Sequence, residues 1–147
     1  MQPFFLEVGQ EVSFAKTVSE SDVYLFAGIT GDFNSNHVNQ EVMSKSKYGE
    51  RIAHGALMVG FMSTTSTMMI DTYGRPPGST ATAVSLGYDR VRFLAGVRIG
   101  DTITVRYRVT HIEPERDRSR ATVTVTNQDG VEVAVAEHIL KWVYPDA

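Results

Sequence analysis

Residues 54–73 read HGALMVGFMSTTSTMMIDTY, and the fold turns on how that stretch is read. It is rich in Met, Leu, Phe and Ala, carries no charge before Asp71, and is bracketed by Gly55 and Gly74. A surface helix shows a polar face along its whole length. Here the polar run is confined to Ser63 through Thr67, so the segment predicts a helix enclosed by protein on nearly all sides. Such a helix is about 27 Å long at the helical rise, and Gly74 reads as a left-handed stop before the turn-forming Arg75-Pro76-Pro77-Gly78. A membrane span needs about 20 mainly apolar residues, whereas this segment holds a histidine, glycines and a run of hydroxyl residues. A buried strand pair would show period-two alternation or an internal turn, and the segment has neither.

Composition bounds what can surround this helix. A hydrophobic content of 42% in 147 residues suits one domain, residues 1–147, with a continuous core. The net charge of −3, with both signs interspersed, gives no basic field for nucleic acid or an anionic bilayer, so neither partner is expected. With no cysteine, disulfides and thiolate metal sites are excluded. The first residues lack the basic start and long apolar run of a secretory signal, which predicts a cytoplasmic protein.

On the N-terminal side, residues 4–18 read as extended segments around a Gly9 turn, with Val12, Phe14 and Val18 inward. Ser19 followed by Asp22 forms a capping-box start for a helix through Val23, Tyr24, Phe26 and Ala27, stopping at or just after Gly28. Gln40 to Lys47 reads as a short helix resting on Val42 and Met43, with Lys45 and Lys47 as solvated surface. On the C-terminal side the period changes. Val84, Leu86 and Tyr88 fall on one side of an extended segment and Ala83, Ser85, Gly87 and Val91 on the other. Ile103, Val105, Tyr107 and Val109 alternate with polar residues, as do Ala121, Val123 and Val125. Pro114 to Ser119 is a charged turn, Asn127 to Gly130 a hairpin signal, and Val131 to Val143 the last strand. Four long antiparallel strands and one buried helix predict an α+β fold in which a strongly curved sheet wraps the helix.

Between the two helices lies Thr30-Gly-Asp-Phe-Asn-Ser-Asn-His-Val-Asn39, a polar loop by composition. Asp32 and His37 can face a common point there. The competing reading is a surface turn in which Asp32 caps a helix and His37 is solvated. Gly55 likewise carries two readings. Without a side chain it lets a ligand oxygen approach the free N–H groups of a helix start, or it serves close helix-to-sheet packing.

Phe26-Ala-Gly-Ile-Thr-Gly-Asp-Phe-Asn-Ser-Asn-His37, Tyr48-Gly-Glu-Arg-Ile-Ala-His-Gly55 and Val97-Arg-Ile-Gly-Asp-Thr102 together resemble the MaoC-like dehydratases and (R)-specific enoyl-CoA hydratases of the hotdog fold. The resemblance covers essentially the whole chain. It implies a catalytic acid–base pair at Asp32 and His37, a backbone oxyanion donor at Gly55, and a further site serine at Ser63. Asn34 then fixes the loop or orients bound groups, and His54 packs near the site without being a catalyst. Ser63 also admits a plain reading, a hydroxyl bonded back to its own helix. Two positions depart from the family pattern: Ser35 stands where Pro is usual and Asn39 where Asp is usual.

The implied reaction is (R)-specific hydration of a trans-2-enoyl-CoA, or the reverse dehydration, with no cofactor beyond the CoA of the substrate and no metal. A homodimer is implied as well, and the unpaired edges of such a sheet agree with it. Other hotdog proteins are acyl-CoA thioesterases, several with a catalytic carboxylate on the long helix, and Gly55 to Ile70 holds none. A non-catalytic acyl-CoA-binding domain is the remaining alternative. Met58, Phe61, Met62 and Met68 read as core side chains or as walls of an acyl pocket.

Overall fold

The computed structural model describes residues 4–145, and its centre is the helix read above. In chain order the elements are β1 (Glu11–Thr17), α1 (Glu20–Thr30), α2 (Ser35–Val38), α3 (Gln40–Met43), α4 (Gly55–Thr72), β2 (Thr82–Phe93), β3 (Thr102–Glu113), a 3-10 turn (Pro114–Arg116), β4 (Arg118–Thr126) and β5 (Glu132–Val143). The five strands form one antiparallel sheet in the order β1-β3-β4-β5-β2, and α4 packs against β1, β3 and β4.

Alternation in β3 and β4 builds the floor under the helix. Ile103, Val105, Tyr107, Ala121, Val123 and Val125 are all fully buried, facing Met58, Phe61, Met62 and Met69 of α4. Each such side chain moved out of water stabilises the fold by about 1.5–3 kcal/mol before entropy is charged against it. Asn127 to Gly130 closes the β4–β5 hairpin, with Asn127 N–H donating to Val131 O at 2.9 Å and Gly130 in the left-handed region.

Several sequence expectations need correction. Residues 4–10 form bends and turns, and the first strand begins only at Glu11. α4 is not enclosed all round within one chain: Ala56, Gly60, Ser63, Thr67 and Asp71 form an exposed stripe at helical spacing. Apart from Asp71 the stripe is made of small uncharged residues, whose weak polarity does not mark an exposed face in the sequence. Gly74 is not left-handed. Its lack of a side chain serves close approach, since a Cβ there would stand 3.1 Å from Ile70 Cα and 3.3 Å from the Trp142 ring. The alternation read in β2 is broken by register shifts between Ser85 and Gly87 and between Asp89 and Arg92, which leave Leu86 exposed. Arg90, at φ 51°, sits in the second irregularity. Among the described residues no helix is long and apolar enough to cross a membrane.

Candidate active site

Local capping brings the polar segment to the start of α4. Ser19 Oγ accepts the Asp22 N–H while the Asp22 carboxylate accepts the Ser19 N–H, so α1 starts where the capping box predicts. It ends on Gly31, whose φ of 82° turns the chain outward and delivers Asp32. From there short side chains replace backbone partners. Thr30 Oγ1 accepts from Asp32 N–H, Asp32 Oδ1 from Asn34 N–H, and Asn34 Oδ1 from Asn36 N–H. The expected loop is therefore partly helical: Asn34 caps the single turn α2, and that turn carries His37.

The two departures from the family pattern now have a structural account. Ser35 is the first residue of α2, the position where the missing N–H of a proline goes unnoticed, so serine takes the place without disturbing the turn. Asn39 caps α3 by accepting the Val42 N–H at 3.0 Å, a role that Asn and Asp fill alike.

The Tyr48–Gly55 segment locks this unit in place. Ile52 N–H donates to Asn36 O at 3.0 Å, and Ala53 N–H to Val97 O at 2.7 Å. Arg51 donates to Glu20 and to the Tyr24 hydroxyl, both at 2.8 Å, and to Gln40 Oε1 at 3.3 Å, tying α1, α3 and the start of α4 together. That clamp was not singled out from the sequence, although Arg51 lies within the quoted motif.

Hydrogen bonding assigns the histidine tautomers. His37 Nδ1 lies 2.7 Å from Ile52 O, and a carbonyl only accepts, so Nδ1 carries the proton and Nε2 presents a lone pair. His54 Nε2 lies 2.9 Å from Asp32 O and donates to it for the same reason. Its Nδ1 is then an acceptor, and it is buried with no partner. An unmet polar atom of this kind costs about 1–3 kcal/mol. The rings of His37 and His54 stack at 3.7 Å, and Phe26 closes over His54 at 4.7 Å.

An Asp32 carboxylate oxygen and ring nitrogens of His37 and His54 all lie within 4.8 Å of one another. The Asp32 carboxylate makes no hydrogen bond to either ring among the described residues, and one water can touch both sides of a gap within this limit. Asp32 is exposed and His37 half-buried, so a ligand can reach both. The same cluster has the residue types of a metal site, with one ring nitrogen of each histidine already engaged, His37 Nδ1 on Ile52 O and His54 Nε2 on Asp32 O.

Next to the cluster, a pocket of about 250 Å³ is lined by Tyr48, Ile52, Gly55, Phe93, Leu94, Ala95 and Gly96. Gly55 opens α4, and its N–H has no acceptor within the helix. The Phe93 ring lies over it, 2.6 Å from where a Cβ would stand, so both readings of this glycine meet at one place. Phe93 gave no sequence signal. Ser63 lies two turns along α4, exposed, and its hydroxyl makes no hydrogen bond to Asp32 or His37 among the described residues. It faces the Tyr88 hydroxyl, whose pKa is raised by burial against the pull of Ser63 and Ser66, in a geometry that completes no hydrogen bond. A larger cleft, about 630 Å³, lies between Phe4, Phe5, the Pro76–Thr80 turn and Tyr144. It offers the single carboxylate of Asp117 and no histidine.

A family profile described as MaoC like domain matches residues 4–132. The chain belongs to the MaoC-like domain family. This MaoC-like chain is 41% identical over 129 residues to an (R)-specific enoyl-CoA hydratase of Rhodospirillum rubrum, covering 86% of this chain and 83% of that protein. It is 38% identical over 126 residues to a 3-hydroxybutyryl-CoA dehydratase of Methylorubrum extorquens, covering 86% and 74%. Among solved structures, an R-hydratase of Pseudomonas aeruginosa superposes with a TM-score of 0.75 at 31% identity, over 95% of this chain and 84% of that one. The (R)-hydratase of A. caviae superposes at 0.81 with 24% identity, over 95% and 98%, and shares the hotdog fold of the MaoC-like chain.

Proposed function

We propose that the chain adds water across the double bond of a trans-2-enoyl-CoA to give an (R)-3-hydroxyacyl-CoA, or runs the reverse dehydration, with Asp32 and His37 as its acid–base pair. The chain is a hydro-lyase by its family and by its hydratase and dehydratase relatives. What supports the assignment of the pair is the nearness of the Asp32 carboxylate to a ring nitrogen of His37, within 4.8 Å, with the His37 ring oriented by the bond from Nδ1–H to Ile52 O.

In this mechanism Asp32 and His37 hold a water between them and remove a proton as its oxygen bonds to the β-carbon. The same pair then returns a proton to the α-carbon on the same face, so hydroxyl and hydrogen are both accounted for. Negative charge that develops on the thioester oxygen falls to the Gly55 N–H at the positive end of α4, once the Phe93 ring gives way. Asn34 shapes the loop through its cap and Ser63 contributes from the exposed stripe of α4. Neither cofactor nor metal takes part in this scheme.

A second copy of the chain completes the reading. β2 is an edge strand with Leu86 and Phe93 about half exposed, and the small-residue stripe of α4 is uncovered beside it. An unpaired edge that exposes apolar side chains beside a stripe of small residues is stabilised by a symmetric partner. A monomeric mass in solution would remove the homodimer from this account. A cytoplasmic location belongs to the same reading, and cell fractionation checks it.

The deciding experiment follows enoyl-thioester absorbance with crotonyl-CoA and a C8 enoyl-CoA, with chiral analysis of the product. Formation of the (R)-3-hydroxyacyl-CoA is the expected result. Release of free thiol from saturated acyl-CoA, with no loss of enoyl absorbance, would replace hydration by thioester hydrolysis.

A further inference from the structure

Of the side chains around the catalytic loop, His54 is the one that the proposed chemistry does not use and that the fold alone does not explain. It is 2% exposed, yet it keeps an imidazole where one ring nitrogen has no partner. An apolar ring of similar shape would fill the same space beside Phe26 with no polar atom unmet. What the imidazole adds is the Nε2–H bond to Asp32 O at 2.9 Å, together with a flat face set 3.7 Å from the His37 ring.

These two contacts reach the two halves of the acid–base pair. Asp32 belongs to the segment after α1, where short side-chain bonds hold the backbone and one of them is as long as 3.3 Å. His37 belongs to the single turn α2. No hydrogen bond joins their side chains among the described residues, so their spacing must be set from outside the pair. His37 is anchored on Ile52 O, and His54 lies two residues further along the same strap, whose Ala53 N–H is fixed to Val97 O. One rigid segment therefore holds both partners.

We propose that His54, in the neutral tautomer with the proton on Nε2, is the positioning residue that sets the Asp32–His37 separation, holding Asp32 through its main-chain oxygen and His37 through its ring face. The inference rests on the hydratase reading for its kinetic consequence, and on geometry alone for the tautomer. An acid–base pair tolerates little error in position, and a displacement of about 1 Å lowers turnover by about a hundredfold.

Two variants separate the contacts. His54→Phe keeps the ring face and loses the donor, while His54→Gln keeps a donor near the Nε2 position and loses the face. With crotonyl-CoA, His54→Phe is expected to lower kcat by about a hundredfold with KM within about threefold, and His54→Gln to recover part of that loss. A residue that merely fills space would show the reverse order, with phenylalanine the better replacement and loss of activity tracking loss of folded protein. Wild-type kcat in His54→Phe overturns the proposal. Nitrogen-15 NMR of the wild-type imidazoles provides a readout free of turnover: His54 should show a protonated Nε2 and a bare Nδ1, and His37 the opposite pattern. A proton on His54 Nδ1, or rapid averaging of its tautomers, overturns the proposal even if His54→Phe fails to fold. If the wild type does not hydrate crotonyl-CoA, the NMR result still decides whether His54 is held in this tautomer against Asp32.

Discussion

Two histidines of this chain are shut away from solvent, and their surroundings treat them in opposite ways. His138, fully buried on β5, has both nitrogens occupied: Nε2 is 2.7 Å from Ser85 Oγ and Nδ1 is 2.8 Å from the Tyr107 hydroxyl. Tyr88 stacks over its ring at 4.4 Å. His54 has one nitrogen bonded and the other left over. A buried polar group that serves only the architecture gains by making all its bonds, because each missing one costs about 1–3 kcal/mol. The saturated histidine thus marks the sheet, and the unsaturated one marks the place where position matters more than the bond count.

The hardest test of that contrast is to remove chemistry without touching architecture. Asp32→Asn and His37→Ala alter an exposed and a half-buried side chain. Each should lower kcat by about a hundred- to ten-thousandfold while the thermal unfolding temperature stays near that of the wild type. Equal turnover in both variants and the wild type would take the pair out of the mechanism.

Acid titration probes the other side. Burial lowers the His138 pKa to about 4, below the usual imidazole value near 6.5. Between these pH values the unfolded chain takes up a proton that the folded chain refuses. The contribution of His138 is therefore complete above about pH 6.5 and declines as pH falls toward 4, for a total loss of about 3 kcal/mol. Urea unfolding at pH 7, 5.5 and 4, wild type against His138→Gln, isolates this slope. Identical slopes would mean that the imidazole is accessible to protons in the folded state.

A smaller effect should follow from Tyr107→Phe, which leaves His138 Nδ1 as unmet as that of His54. The expected loss is about 2 kcal/mol in urea unfolding, with kcat per folded molecule within twofold of wild type. A drop in kcat without loss of stability would join the two histidine systems that the structure keeps apart. Smallest of all, Gly55→Ala sets a methyl against the Phe93 ring, which is 54% exposed and able to swing aside. A loss of about 1 kcal/mol is expected, and it should vanish in the Gly55→Ala/Phe93→Ala double variant. A loss that persists there would assign the strain to the helix start itself.

How far the sequence alone reached follows from the range of each interaction. The long helix, the Ser19 capping box, the inward faces of β3 and β4 and the Asn127–Gly130 hairpin were legible because a few neighbouring residues specify each of them. That Asp32 and His37 come within 4.8 Å of each other was suggested by the family pattern, since nothing in five residues of spacing says that Ile52, fifteen positions on, will orient the imidazole. The bond from His54 to Asp32 O joins residues twenty-two apart and depends on a backbone oxygen, which has no letter in a sequence. The irregularities of β2 escaped for a related reason. A bulge shifts faces while leaving composition unchanged, so alternation put Leu86 beside Tyr88 where the folded strand leaves it exposed.

The far end of α4 has a use of its own. The chain holds one tryptophan, Trp142, stacked on Phe5 at 4.8 Å with its indole N–H donating to Gly74 O at 3.0 Å, where α4 has ended. Its emission is a built-in optical gauge of whether the helix terminus, the segment around Phe5 and the last strand remain assembled. Because the Asp32–His37 cluster lies at the opposite terminus of the same helix, that gauge should stay quiet as substrate binds and respond only when the sheet lets go.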